Sequence, residues 1–372
     1  MSASVGAPVS APESAPVTAG RTSCAPAAPT PRAQDVARAA RRGPIRRTRL
    51  VVGGLAAVLV LVLAARTMLG DFTITLPDLI RILWGEDIPG ASYILMESKL
   101  PRAVLGMLVG AAFGAAGAVF QSTLRNPLAS PDIIGVSLGA SAAAVFAIVS
   151  LDADGRTVSV AAVLGAIAVA ALVRWQAGTV GSSSGGHRLV LIGIGVAAAL
   201  QSAVQYLFTR ADEWDAQLVL RWLTGSLNSV AWPTIRLLAV LLAVLVPLLL
   251  WLARSGRIAE LGPDAATGLG VGRWHSDGLL LVAVVLVALG VAAAGPIAFV
   301  AFLAGPIARS LNGGRTTLLG AALVGAVIVV GADHLAAYLI PDVNLPVGVV
   351  TGAFGAPFLL WLLATGRTTR RS

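Results

Sequence analysis

Lysine is almost missing from this sequence: of 27 basic residues, only Lys99 is not arginine. A phosphate-binding P-loop needs a lysine directly after its last glycine. Lys99 stands between Ser98 and Leu100, so the chain carries no nucleotide site of that kind. Cysteine is as scarce, and the lone Cys24 excludes an intrachain disulfide and a thiolate metal centre. Three histidines, His187, His275 and His334, are too scattered to give ligand spacing, and no metal site is expected. No cluster of polar residues suggests a catalytic centre acting on lipid. Charge itself is short: charged residues are 12% of the chain, about half the share of a soluble domain. With 56% hydrophobic residues, the bulk of the chain cannot be wrapped in a water-facing shell.

What is present is a series of nearly uncharged runs, each close to the ~20 residues that an α-helix needs to cross a bilayer. Ten are read, at 50–69, 101–121, 133–150, 157–175, 189–208, 235–253, 278–294, 297–311, 317–340 and 346–365. They are continuous Ala/Leu/Val/Gly rather than alternating, which favours helices over a β-barrel. The expectation is an all-α polytopic membrane protein. Residues 1–49 read as a disordered, basic N-terminal tail, 50–365 as the transmembrane domain and 366–372 as a short C-terminal tail. The tail has no apolar region followed by a small-residue cleavage site, which argues against a removed signal peptide.

The net charge of +9 is not spread evenly. With the N-terminus inside, loop parity places 19 of the 27 basic residues on the inner side and eleven acids outside. That is the positive-inside pattern, with both termini in the cytoplasm. The run RRGPIRRTR at 41–49 then reads as an anchor at anionic lipid headgroups rather than a nucleic-acid patch.

Glycines carry a second signal. Gly106, Gly110, Gly114 and Gly117 recur every three or four positions, giving one helix a flat face for close packing or for lining a passage. Gly295-Pro296 breaks the seventh run, and the eighth is short, which points to a passage between inverted repeats. In QSTLRNPLASPDIIG, Asn126-Pro127 and Ser130-Pro131 cannot continue a helix, and Arg125 marks the inner side. Asp333-His334 is the one ionisable pair deep in an apolar run. It is a candidate proton relay, against the blander reading that both face the bundle interior and bond to backbone. The segment 254–277 reads as two short helical turns around Gly262-Pro263, either a linker or a surface for a partner.

Taken in order, the motifs resemble the FecCD family, the BtuC-like permease subunits of type II ABC importers for ferric siderophores, cobalamin and haem. The resemblance covers about residues 50–365. It runs through Leu100-Pro101-Arg102, Gln121, Arg125-Asn126-Pro127-Leu128-Ala129, Gly135-Val136, Gly139-Ala140, Trp222-Leu223 and Gly225-Ser226-Leu227. It continues with Leu269-Gly270-Val271, Gly295-Pro296-Ile297, Ile307-Ala308-Arg309, Ala332-Asp333, Leu345-Pro346-Val347-Gly348 and Gly355-Ala356-Pro357-Phe358.

The resemblance implies that 254–277 forms coupling helices on a separate ATPase, with Glu260, Leu261, Leu269, Gly270 and Val271 as contacts. Lys99 and Arg102 stand where family members dock a substrate-binding protein, although snorkelling to headgroups is an alternative. The turn with Arg125, Asn126 and Pro127, with Gly135, Ser137 and Gly139 after it, is placed at the inner mouth of the passage. Two departures are visible. Ala337 stands where many relatives carry another docking arginine, and Gly305-Pro306 replaces Pro-His, a form similar to the ferric enterobactin type of heteromeric importer.

The implied protein is no enzyme and holds no cofactor, ATP and magnesium being bound by the partner ATPase. It is a permease in the cytoplasmic membrane that passes ferric siderophore. Its partners are a second permease (a heterodimer favoured), two ATP-binding subunits and an extracytoplasmic binding protein or lipoprotein. Cobalamin or haem cargo, and a proton-coupled secondary transporter using Asp333 and His334, are the alternatives.

Overall fold

The computed structural model describes residues 33–177, 185–228, 230–259, 268, 273–340 and 343–366. The chain divides into two units, Met1–Arg46 and Arg47–Ser372. Part of the stretch expected to be disordered is helical: α1 spans Ala33–Met68. Its opening AQDVARAARR is mostly alanine and arginine, both strong helix formers.

After α1 come α2 (Leu76–Leu83), α3 (Ala91–Tyr93) and a π-helical turn Ile94–Lys99 that runs directly into α4 (Leu100–Thr123). The chain continues through α5 (Val136–Leu151), α6 (Gly155–Ala177), α7 (Gly185–Arg210), α8 (Glu213–Leu223) and α9 (Trp232–Ala259). It closes with α10 (Arg273–Ala294), α11 (Val300–Leu311), α12 (Leu318–Tyr338) and α13 (Val347–Gly366). Among the described residues there is no strand. Among the described residues seven helices are long and apolar enough to span, and the three shorter apolar ones, α5, α11 and α13, lie in the other three of the ten expected runs.

Two elements arise in segments the sequence left as loops. Thr75 Oγ1 accepts from the Asp78 N–H and Pro77 occupies the first turn, which starts α2. Asp212 accepts from the Asp215 N–H at 2.9 Å and starts α8. Exposed aromatics gather at the two ends of the spans, Trp84, Tyr93, Tyr206 and Trp214 at one and Trp175, Trp251, Trp274 and Trp361 at the other. Such belts mark the membrane–water boundaries. The two sides are called the Trp84 end and the Trp175 end.

The middle of the bundle is α4, packed on α10, α11 and α12. Its glycine face meets backbone: a Cβ on Gly110 would lie 2.4 Å from the Gly325 oxygen, and one on Gly114 2.2 Å from that of Ala321. At Gly117 it would lie 1.7 Å from the Ala301 oxygen. With no hydrophobic drive between helices in lipid, such contact is what holds them together. The flat face is therefore used for packing. Gly139 and Gly165 bring α5 against α6 in the same way.

Candidate functional site

At the Trp84 end, Asp333 of α12 is held between two guanidinium groups. Arg66 of α1 donates through Nε at 2.6 Å, and Arg102 of α4 through Nη2 at 2.8 Å. Asp333 and Arg66 are both 2% exposed and Arg102 is 15% exposed. Of the two sequence readings, the one that gave Asp333 only backbone partners is corrected. An isolated carboxylate would be costly in this place, and charged donors from two other helices meet it instead. His334 packs on the Tyr338 ring at 5.1 Å and makes no bond to Asp333.

Lys99, at the junction of the π turn and α4, is buried, and its Nζ donates to the carbonyls of Leu69 at 2.9 Å and Phe72 at 2.6 Å. Both proposed docking residues are thus engaged within the chain. Counting Arg66, Arg102 and Lys99 against Asp333, the cluster keeps a surplus of positive charge below the surface. The π turn itself is held by Trp232 Nε1, which donates to the Met96 carbonyl at 2.8 Å. Short π segments often mark functional positions in helices.

Beside the cluster lies an unwound junction. Segments 224–228, 295–299 and 345–348 meet there and exchange backbone bonds. Ser226 N donates to Ala294 O at 2.8 Å, and Gly348 N donates to Gly225 O at 3.3 Å. Gly225 and Gly295 have φ of +66° and +73°, and a Cβ on Gly348 would lie 2.0 Å from Thr224 O. Glycine is required here by close backbone approach as well as by conformation. Leu227 packs towards Gly106 of α4. Three motifs scattered over more than a hundred residues of sequence are therefore one place. Non-helical backbone within a membrane protein is tolerated where protein buries it or where it borders a water-filled cavity.

The turn between α4 and α5 lies at the Trp175 end. Arg125 is exposed with φ +51°, and the Asn126 side chain accepts from the Leu128 N–H at 2.9 Å. Pro127 is exposed. Gly135 is buried with φ +86° and opens α5. Ser137 donates to Asp132, and Ser130 donates to its other oxygen at 3.3 Å. Burial pushes the Asp132 carboxyl above its ordinary range, and the two hydroxyl donors oppose that shift. Gly139 is spent on Gly165 and Val169 of α6. Nearby, Arg174 grips Asp277 with two bonds, Nη2 at 2.7 Å and Nε at 3.2 Å, joining the end of α6 to the start of α10. Glu260, Leu261, Leu269, Gly270 and Val271 lie outside the described residues.

Two features escaped the sequence reading. Gln121 of α4 is buried, and its Nε2 donates to Phe302 O at 3.0 Å. That carbonyl would ordinarily accept the N–H of residue 306, but Pro306 has none. Gln121 supplies the missing donor, and Gly305 makes room, since a Cβ there would lie 2.0 Å from Gln121 Oε1. The signal was a glutamine at the end of an apolar helix and a proline inside another. The second feature is on α7, whose Gln201, Ser202 and Gln205 are exposed within a spanning helix. An i, i+4 pair of amides in an apolar run was legible, but its exposure was not.

Comparison with known proteins places this geometry. The profile of the FecCD transport family matches residues 57–365. The achromobactin transport system permease protein CbrC of Dickeya dadantii is 38% identical over 324 residues, 85% of this chain and 92% of that protein. The ferric enterobactin transport system permease protein FepG of Escherichia coli is 37% identical over 296 residues, 79% of this chain and 89% of that protein. A solved structure described as an inward-facing conformation of a putative metal-chelate type ABC transporter superposes with a TM-score of 0.74 at 25% identity. The match covers 85% of this chain and 99% of that one. With the family profile matched over nearly all of the membrane domain, this chain belongs to the FecCD transport family.

Proposed function

We propose that this chain is the permease subunit of an ATP-driven importer that moves a ferric siderophore across the cytoplasmic membrane. The observation that carries the reading is the family match across 57–365, joined to relatives named for siderophore transport at 37–38% identity. The alternatives of cobalamin or haem cargo have less support from those relatives. No chemistry is performed on the cargo. ATP and magnesium belong to two copies of a separate ATPase, in keeping with the lone, misplaced lysine.

In this scheme the Trp175 end faces the cytoplasm with both termini, following the excess of arginine there. Glu260, Leu261, Leu269, Gly270 and Val271 seat on the ATPase, and the Arg174–Asp277 pair carries movement of that segment into α6 and α10. A second permease, most simply a sibling subunit, completes the passage. The stripe of Gln201, Ser202 and Gln205 supports that arrangement. An amide facing hydrocarbon without partners costs several kcal/mol, on the order of a lost buried hydrogen bond or more. The stripe therefore faces the passage or the second subunit. On the outer side, the surplus positive charge around Arg102 and Lys99 suits an acidic lobe of a binding protein. Arg102 retains the exposure needed for direct contact, and Lys99 contributes its field.

The secondary-transport reading using Asp333 and His334 is weakened by geometry. The Asp333 carboxylate is committed to two arginines, and His334 does not bond to it. The deciding experiment is uptake of radioactive ferric siderophore by vesicles holding this chain with its ATPase, sibling permease and binding protein. Uptake is expected to require ATP and to survive a protonophore. Uptake that continues without ATP and collapses with the protonophore overturns the proposal in favour of proton coupling.

A further inference from the structure

The segment between α1 and α4 contains an apolar surface that no other described residue covers. Leu76, Ile80, Leu83 and Trp84 are all exposed, Trp84 at 86%. Their spacing, i, i+4, i+7 and i+8, puts them on one face of α2. A second face of the same helix is already used: Ile82 is buried with Ile74, Ala91 and Leu95, and Leu79 packs against them. The remaining sector carries Asp78 and Arg81, and Arg81 pairs with Glu86 just beyond the helix. One short helix thus has a packed face, a bare apolar face and a charged face.

Three sectors of this kind suit a helix lying in the plane of a membrane boundary, with protein on one side, acyl chain below and water above. Continuity favours the bilayer as the occupant. The exposed apolar residues Val58, Val60 and Leu61 of α1 are followed, across the half-buried Val62, Leu63, Ala64 and Ala65, by exposed Leu69 and Phe72 and then by the bare face of α2. The Ile74 N–H donates to Met68 O at 2.9 Å, so the bend is tied to the end of the span. Trp84 closes the face, and an indole with an apolar body and a polar N–H is the side chain that membrane boundaries select.

We propose that α2 is an interfacial helix whose Leu76/Ile80/Leu83/Trp84 face is inserted in the lipid leaflet at the Trp84 end. The segment from 69 to 90 is then no free loop. It is a lipid-seated elbow, and the carbonyls of Leu69 and Phe72, which hold Lys99 at the head of α4, are fixed by it. The inference requires that the chain be membrane-embedded and does not depend on which cargo it carries.

The single cysteine makes the test direct. In a Cys24→Ser background, Trp84→Cys, Ile80→Cys and Arg81→Cys are each spin-labelled on the full chain, in vesicles of phosphatidylcholine and phosphatidylglycerol. Collision with dissolved oxygen is compared with collision with a water-soluble nickel chelate. Labels at 80 and 84 are expected to favour oxygen and the label at 81 to favour nickel. Labels at 80 and 84 that favour nickel overturn the proposal by placing the face in water. Labels there that neither reagent reaches, with an immobilised spectrum, overturn it too, since the face is then covered by protein. Transport is not read, so failure here leaves the importer assignment standing, and failure of uptake leaves this one standing.

Discussion

α1 and α4 are both apolar helices long enough to cross a bilayer, yet they are held by opposite means. In α4, 78% of the most apolar 18 residues are buried, against 6% in α1. α4 is fixed along its length by backbone contact through glycine. The apolar part of α1, Ile45–Met68, is fixed at its two ends by polar groups: Arg66 on Asp333 at one, and at the other Arg47 on Leu311 O at 3.1 Å and Thr48 on Asn312 at 3.0 Å. Its own glycines, Gly53 and Gly54, have nothing within 4 Å. The contrast teaches that in lipid a helix can be central through small residues or peripheral through a few charged clamps, and that apolarity by itself distinguishes neither.

The sharpest way to break the comparison is a large residue on each helix. Gly117→Leu drives a side chain into the Ala301 carbonyl, which is backbone and cannot step aside. The expected result is loss of folded, monodisperse protein on size exclusion, beyond the roughly 1–3 kcal/mol typical of overpacking. Gly53→Leu is expected to leave thermal unfolding within about 0.5 kcal/mol of the parent. Equal damage from both would show that α1 is packed like α4.

Next in size is the clamp. Asp333→Ala leaves two guanidinium groups without their carboxylate, and removing one member of a buried pair costs about 3–5 kcal/mol. Thr48→Val, at the half-exposed opposite end of the apolar span of α1, is expected to cost about 1 kcal/mol. Both are read by thermal unfolding in detergent. If Asp333→Ala is as mild as Thr48→Val, the ion cluster does not hold α1.

The third prediction concerns how α4 supports a neighbour that proline has damaged. Gln121→Leu leaves the Phe302 carbonyl buried and bare, at about 1–3 kcal/mol. Pro306→Ala returns the N–H that this carbonyl lacked, so the double variant is expected to lose less than Gln121→Leu alone. A double-mutant cycle measures that coupling. Additive losses would refute the assigned role.

What could be read in advance follows from the range of each interaction. The ten spans were legible because hydropathy is local, and the glycine face because helical period turns a spacing into a surface. Arg66 was not, since it closes an apolar run and its partner stands 267 residues away. Only the fold brings them together. α2 and α8 were missed because short amphipathic helices lack the long apolar signature that marks a span. The junction of Gly225, Gly295 and Gly348 appeared as separate motifs, each with a conformational reason, but their shared reason is proximity. Gly139 is one of the glycines by which α5 packs on α6, a contact set by the fold rather than by its neighbours in sequence.

The smallest expected effect bears on the Trp175 end, where α4 hands over to α5. Asp132 has its folded carboxyl pushed up by burial, against the pull of Ser137 and Ser130. A raised folded value means that the native state binds this proton more tightly than the unfolded chain does. The contribution is therefore complete at pH below the unfolded carboxyl range and is lost as pH rises through the folded value. Asp132→Asn removes that dependence while keeping an oxygen to accept from Ser137. The parent is thus expected to gain thermal stability relative to Asp132→Asn as pH is lowered through the carboxylate range, and to lose that advantage as pH is raised. A difference independent of pH would show that the turn solvates this carboxylate fully, and that its two serines, rather than burial, set its charge.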